Sequence, residues 1–284
     1  MCRLFGLTTG GPRVRATFWL LDAPDSLRSQ SRRMPDGTGL GWFSLGEEPV
    51  RDRAPIAAFQ DADFNSEARY VASHTFVSHV RYASTGAPDV RNSHPFVMDD
   101  RLFAHNGVVR GLDVLGSWLT DAERAMARGQ TDSELVFAYI TAQIRRHGDT
   151  RSGLIAAVGR IAAELPVFAL NLLLAESGRL WALRYPGTHE LWVLAPELAE
   201  PGAARHMSAG REPGRIDVTA HREACAAWII ASERMDDDPD WRLLDPGELL
   251  MLDGWQASSH FPFGTPAHPL TTADLSAAES VSQT

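Results

Sequence analysis

The chain has 284 residues and carries 27 basic against 36 acidic side chains, for a net charge of -9 and a pI near 5.6. That balance excludes the basic stripe by which proteins grip nucleic acid, and the one basic cluster, SLRSQSRRMPDG, is short and runs into an aspartate. Hydrophobic residues at 44% and charged residues at 22% are ordinary globular usage, so a sizeable core can form in one large domain or two small ones.

The only cysteines are Cys2 and Cys225, too few for a disulfide framework or a thiolate zinc site. The N-terminus lacks the basic segment and apolar core of a signal peptide, and no stretch approaches the length of a membrane helix. These features predict a cytoplasmic protein whose thiols stay reduced.

In chain order, CRLFGLTT reads as a strand and PDGTGLGWFSL as a glycine-rich turn entering a second. SHTFVSHVRYAS alternates, with Phe76 and Val80 on one face and Val77 on the other, so it reads as a strand. DDRLFAHNG reads as a short apolar strand followed by a turn at Asn106-Gly107. TDSELVFAYITAQIRRHGD is the clearest helix: Thr131 or Asp132 caps it, Glu134 completes a capping box, and Gly148 ends it. A second helix, SGLIAAVGRIAAEL, stops at Pro166.

Thereafter the character is β. VFALNLLLAES and GRLWALRYP form a hairpin through Glu176-Ser177-Gly178, and HELWVLAP, AAWIIASE and GELLMLDG add three short strands. No linker or internal repeat divides the chain. The expectation is a domain over 2–255 of α+β class, with a loose Ser/Thr/Ala/Pro-rich tail over 256–284.

Cys2 has two readings. Once Met1 is removed, its α-amine, titrating near about 8, could take the thiol proton without a histidine. Alternatively it is a buried structural cysteine, the commoner fate of a free thiol. Asn106 and the N–H of Gly107 could form an oxyanion hole, or an ordinary Asn-Gly turn. Arg81, followed by Ser84 and Thr85, could clamp a small carboxylate or make a surface salt bridge. Asp132 could pair with a substrate ammonium or simply cap its helix. The spacing of His79, His94 and His105 fits no metal pattern, and the glycines of PDGTGLGWF lack the lysine of a phosphate loop. Those glycines are expected as a tight turn beneath the site. No metal or cofactor is expected.

Six stretches in this order (MC, PDGTGLGW at 35–42, RYASTG at 81–86, NSHPF at 92–96, HNG at 105–107 and TDSE at 131–134) resemble the class II glutamine amidotransferase domain, an N-terminal-nucleophile hydrolase. IIASERMDDDPDWRLLDPGELLML is similar to the closing segment of small stand-alone members, including those that cleave a γ-glutamyl amide in ergothioneine synthesis. The resemblance implies a four-layer αββα sandwich. It also implies Cys2 as nucleophile with its α-amine as general base, and Asn106 and Gly107 as oxyanion hole. Arg81, with Ser84 or Thr85, would bind the substrate α-carboxylate, and Asp132 the α-ammonium. Tyr82 and Thr85 replace the tryptophan and histidine of the aminosugar-forming members.

The implied activity is hydrolysis of the γ-amide of glutamine or of a γ-glutamyl conjugate. Two alternatives stand beside it: a glutaminase subunit passing ammonia to a separate synthetase chain, and a non-catalytic protein that binds glutamine-like ligands. The expected ligand is a small γ-glutamyl molecule, with neither nucleic acid nor membrane as partner.

Overall fold

The computed structural model describes residues 2–83, 89–196, 206–209, 216–219 and 227–283. Ser84, Thr85 and Cys225 lie outside them. Two large sheets form the body. In the first, the strand order is β13 (Arg242–Leu243), β9 (Trp192–Leu194), β12 (Trp228–Ala231), β1 (Arg3–Thr8), β4 (Thr75–Arg81), β2 (Gly37–Phe43) and β3 (Pro49–Ala54). In the second it is β15 (Gln256–His260), β14 (Leu249–Asp253), β8 (Arg179–Leu183), β7 (Pro166–Glu176), β6 (Arg101–Val109) and β5 (Phe96–Met98), with β16 (His268–Pro269) parallel to β7. A separate pair joins β10 (His206–Ala209) to β11 (Ile216–Thr219).

The layering follows from strand alternation, because successive side chains point to opposite faces. On β1 and β4, Phe5, Leu7, Phe76 and Val80 pack outward with Leu27 of α1 (Leu27–Gln30), Phe64 of α2 (Ala62–Tyr70) and Trp19. Leu4 and Val77 point the other way and meet Leu102, Ala104, Leu173 and Leu180 of the second sheet. Phe103, Leu172 and Leu174 face outward again, against α5 (Asp132–His147) and α6 (Thr150–Glu164). Three apolar interfaces separating helix, sheet, sheet and helix make an αββα sandwich. The short helices α3 (Leu112–Ser117) and α4 (Asp121–Arg124) lead into α5.

The long helix forms where its sequence predicts. Thr131 is the N-cap, its hydroxyl accepting from Glu134 N at 3.4 Å, and Gly148 closes the helix at φ 76°. Only half the capping box is made. The Glu134 carboxylate instead accepts from the backbone N–H groups of Arg128 and Gly129, fastening the preceding loop. The β7–β8 hairpin turns where expected, with Gly178 at φ 73°.

Three expectations need correction. Asn106-Gly107 is no turn: β6 runs through it to Val109. The β5–β6 turn is instead Asp99-Asp100, both at positive φ (47° and 59°), as a primed hairpin turn demands. Arg145 stabilises that conformation by gripping both Asp99 carboxylate oxygens, at 2.6 and 2.5 Å.

The glycines of PDGTGLGWF form strand β2 rather than a tight turn. Gly37, Gly39 and Gly41 share the face toward the second sheet, and residues 93–95 lie directly on it. A methyl group on Gly39 would sit 2.0 Å from His94 O. Period-two glycine here marks a bare strip of sheet.

Residues 256–283 are not loose. β15 pairs with β14 over five residues, β16 joins β7, and α7 (Ala277–Gln283) buries Glu279, Ser282 and Gln283. Their polar composition hides this because the anchors are dispersed. They are strand pairing, the Arg110–Glu279 ion pair, and single apolar residues, Phe263 against Tyr185 and Leu270 and Leu275 against Val108 and Phe168.

Candidate active site

Cys2 immediately precedes β1, the middle strand of the first sheet, and shares the inward-facing parity of Leu4. Its neighbour is anchored on both sides. Leu4 N donates to Ser232 Oγ at 3.0 Å, Ser232 N donates to Leu4 O at 3.1 Å, and the buried Arg3 is ion-paired with Glu233. The SER of IIASERMDDD thus continues the β1–β12 pairing and fixes where Cys2 begins.

Arg81 ends β4 one step beyond the Arg3–Val80 pair, which sets it beside Cys2. Tyr82 N donates to Cys2 Sγ at 3.3 Å, and the thiol lies 3.5 Å from Tyr82 O. Arg81 is buried, and desolvation lowers its pKa against the opposing charges of Cys2 and Asp36. Asp36 holds the connection after Arg81, its carboxylate accepting from Ala83 N at 2.9 Å.

From the second sheet, Asn106 shares the inward face of Leu102 and Ala104. Its Nδ2 donates to Cys2 O at 2.9 Å, and Arg3 Nη1 reaches the same carbonyl at 3.4 Å. An amide nitrogen has two N–H bonds, so one remains for a ligand. Asn106 Oδ1 is buried and has no hydrogen-bond partner among the described residues.

Gly107 is a glycine for a reason the sequence does not show. A Cβ there would lie 1.9 Å from Ala169 O on β7, so close strand packing excludes any side chain. Asp132 opens α5; one carboxylate oxygen accepts from Val109 N at 3.0 Å and the other from Ser133 N at 2.9 Å. It ties the helix start to the end of β6. Cys2, Arg81 and Asn106 therefore meet at one end of the paired sheets, Gly107 follows Asn106 on β6, and Asp132 lies at the Val109 end of the same strand.

Burial raises the Cys2 thiol above its ordinary pKa, partly offset by the Tyr82 backbone and the positive charges of Arg81 and Arg3. His79, His94 and His105 are buried behind the site. The His79 and His94 rings lie 4.2 Å apart, while His105 Nδ1 pairs with Ser133 Oγ at 2.9 Å. Burial lowers all three pKa values, His79 to about 3, so each ring is neutral near pH 7. Among the described residues, no group of three or more histidine, cysteine, aspartate or glutamate side chains could hold a metal ion. Among the same residues, no helix is long and apolar enough to cross a membrane.

The family model described as class II glutamine amidotransferases matches residues 1–273. The chain belongs to that family. It is 35% identical over 201 residues to the gamma-glutamyl-hercynylcysteine sulfoxide hydrolase of Mycobacterium tuberculosis, covering 66% of this chain and 78% of the relative. The fold is similar to a glutamine aminotransferase class-II domain protein from Silicibacter pomeroyi, at a TM-score of 0.62 and 21% identity over 94% of this chain and all of that one. It is also similar to the glutamine phosphoribosylpyrophosphate amidotransferase of B. subtilis, at a TM-score of 0.63 and 18% identity over 92% of this chain and 49% of that one. As a class II amidotransferase the chain is an enzyme acting on amide bonds, built on the N-terminal-nucleophile sandwich.

Sequence reasoning missed the supports of Cys2. Arg3, Glu233 and the Tyr82 backbone carry no motif of their own. The signal available was the alternation around Leu4 and Val80, which places neighbours across the sheet once the pairing is known.

Proposed function

We propose that this chain hydrolyses the γ-amide of glutamine or of a γ-glutamyl conjugate through a thioester on Cys2. The observation that carries the reading is the Asn106–Cys2 contact, which brings an amide donor of the second sheet to the thiol-bearing residue of the first. The relative's name supports a γ-glutamyl substrate.

Removal of Met1 frees the Cys2 α-amine. A thiol held above its ordinary pKa needs a base at the moment of attack, and the amine takes its proton. The sulfur then bonds to the amide carbon, and the resulting oxyanion rests on the second Asn106 N–H and the Gly107 N–H. The protonated amine gives its proton to the departing nitrogen as the C–N bond breaks. Water, losing a proton to the same amine, attacks the thioester and releases the γ-carboxylate and the thiol. Arg81 holds the substrate α-carboxylate with a bidentate fork, and Asp132 its α-ammonium.

Turnover of glutamine and a panel of γ-glutamyl amides, with intact-mass detection of Met1 removal and of an acyl adduct on Cys2, tests the reading. Cleavage by Cys2→Ala at the wild-type rate overturns it. Glutamine turnover that stays negligible until a synthetase chain is added would instead establish ammonia delivery.

A further inference from the structure

The first sheet ends in the edge strands β13 and β3, the second in β5 and β15. Three of these edges are guarded. β13 and β5 have only two and three residues, too few to template a partner. β3 sets Arg51, Asp52 and Arg53 along its edge between Pro49 and Pro55, and charge and proline both discourage pairing. β15 has neither device: its five residues, QASSH, include no aspartate, glutamate, lysine, arginine or proline. Among the described residues, β14 is its only strand partner.

The open edge has sharp limits. At one end stands the two-residue turn Gly254-Trp255, with Gly254 at φ 61°. At the other is Pro262, which has no N–H to offer. The window between them runs from 255 to 261 and is centred on Ser258. Asp253 and Gln256 flank the turn and, as its closing pair, exchange both backbone bonds. Counting onward, Ser258 and His260 also bond toward β14, whereas Ala257 and Ser259 aim their N–H and C=O groups at the open edge. Large aromatic side chains mark both ends of the window, Trp255 at 44% exposure and Phe261 at 59%.

We propose that β15 is a dimer edge, on which two copies of this chain pair antiparallel about a two-fold axis at Ser258. In that register each position meets a compatible one. Trp255 of one copy faces Phe261 of the other at both ends, and the Gln256 amide faces the His260 imidazole. The backbone groups of Ala257 exchange bonds with those of Ser259, and the Ser258 hydroxyl meets its own copy. Moving the axis to Ala257 sets Phe261 against Asp253, and moving it to Ser259 runs Trp255 past Pro262. Only the axis at Ser258 uses the whole window and both aromatics. A second copy is favoured over a foreign strand because the symmetry supplies each of these contacts twice. Strands β14, β8 and β7 separate this edge from β6, so the pairing does not reach Asn106.

Sedimentation velocity on the full chain tests the dimer. A mass of two chains is expected at about 100 µM, falling toward one chain on dilution, because so small an interface supports a Kd of about 1–100 µM. Ser258→Lys places two ammonium groups opposite each other at the axis and is expected to weaken the dimer about ten-fold or more. Register is read by cysteine substitution, with diamide as the oxidant that takes up the thiol hydrogens. Ser258→Cys is expected to join two 258 positions by a disulfide, detected by peptide mass spectrometry, since facing residues there lie about 4.5 Å apart between Cα atoms. Gln256→Cys is expected not to join itself, its two copies being offset by roughly 14 Å along the strands. A one-chain mass at every concentration overturns the proposal, as does an undiminished dimer in Ser258→Lys. So does self-joining of Ser258→Cys no greater than that of Gln256→Cys, or a single chain whose β15 edge takes up a strand of another protein.

Discussion

Asn106 donates its side-chain amide to the backbone carbonyl of Cys2 across 2.9 Å, joining the two sheets at the residue that bears the thiol. This bond holds Cys2 to the second sheet and leaves the second amide hydrogen of Asn106 for a ligand. Replacing Asn106 by Ala is expected to lower kcat by about 10²- to 10³-fold, the usual effect of losing one oxyanion donor. Steady-state kinetics on glutamine or the best γ-glutamyl amide would read this, with KM shifting less than kcat. A rise in KM with kcat unchanged would assign Asn106 to ground-state binding.

Arg81→Lys should raise KM by about ten-fold or more, because an ammonium cannot reproduce a bidentate fork. The change keeps the positive charge, so a loss here would report geometry. Unchanged KM for a free α-carboxylate substrate would remove Arg81 from the binding role.

Gly107→Ala and Gly39→Ala each drive a methyl group into backbone, 1.9 Å from Ala169 O and 2.0 Å from His94 O. Relieving either clash requires strands or the 93–95 segment to shift, which should cost roughly 1–3 kcal/mol or more in urea unfolding. Gly11→Ala, with open space around its Cβ, is the matched control and should cost far less.

The buried histidines predict an acid-sensitive fold. A histidine whose folded pKa lies below 6.5 binds fewer protons folded than unfolded, so stability is present at neutral pH and falls as pH drops below about 6.5. For His79 the loss continues down to about 3. Each such ring contributes a slope approaching about 1.4 kcal/mol per pH unit within its window. Glu47, lowered to about 2 chiefly by its Ser177 and His74 hydrogen bonds, has its own window below 4.5. Glu67, pushed up to about 7 chiefly by burial, titrates between pH 7 and 5 with the opposite sign. Unfolding free energies there are therefore read in Glu67→Gln, which leaves the histidines in place. A flat profile there would mean that the rings are not held neutral.

The sequence was most readable where a signal is local. β4 shows its two faces in Phe76, Val77 and Val80, and α5 shows its cap at Thr131 and its stop at Gly148. Asn106-Gly107 misled because the same dipeptide suits a hairpin and a strand. Only the approach of Ala169, more than sixty residues away, reveals why a glycine stands there. The Asp99-Asp100 turn depends likewise on Arg145, and the docking of α7 depends on Arg110 and His189. Nothing near those residues in the chain announces their partners. The site residues were legible as candidates, whereas their supports were set by pairings across the sandwich.

The place of β1 in the sheet has a consequence for the order of assembly. Its two partners are β4, about 70 residues later, and β12, more than 220 residues later. β1 must wait for more than 220 further residues before its second edge is paired. Pairings so distant in sequence form slowly, because much chain entropy is lost before they hold. β1 is thus unpaired along one side until β12 arrives, and Cys2 acquires its surroundings only as the sandwich closes.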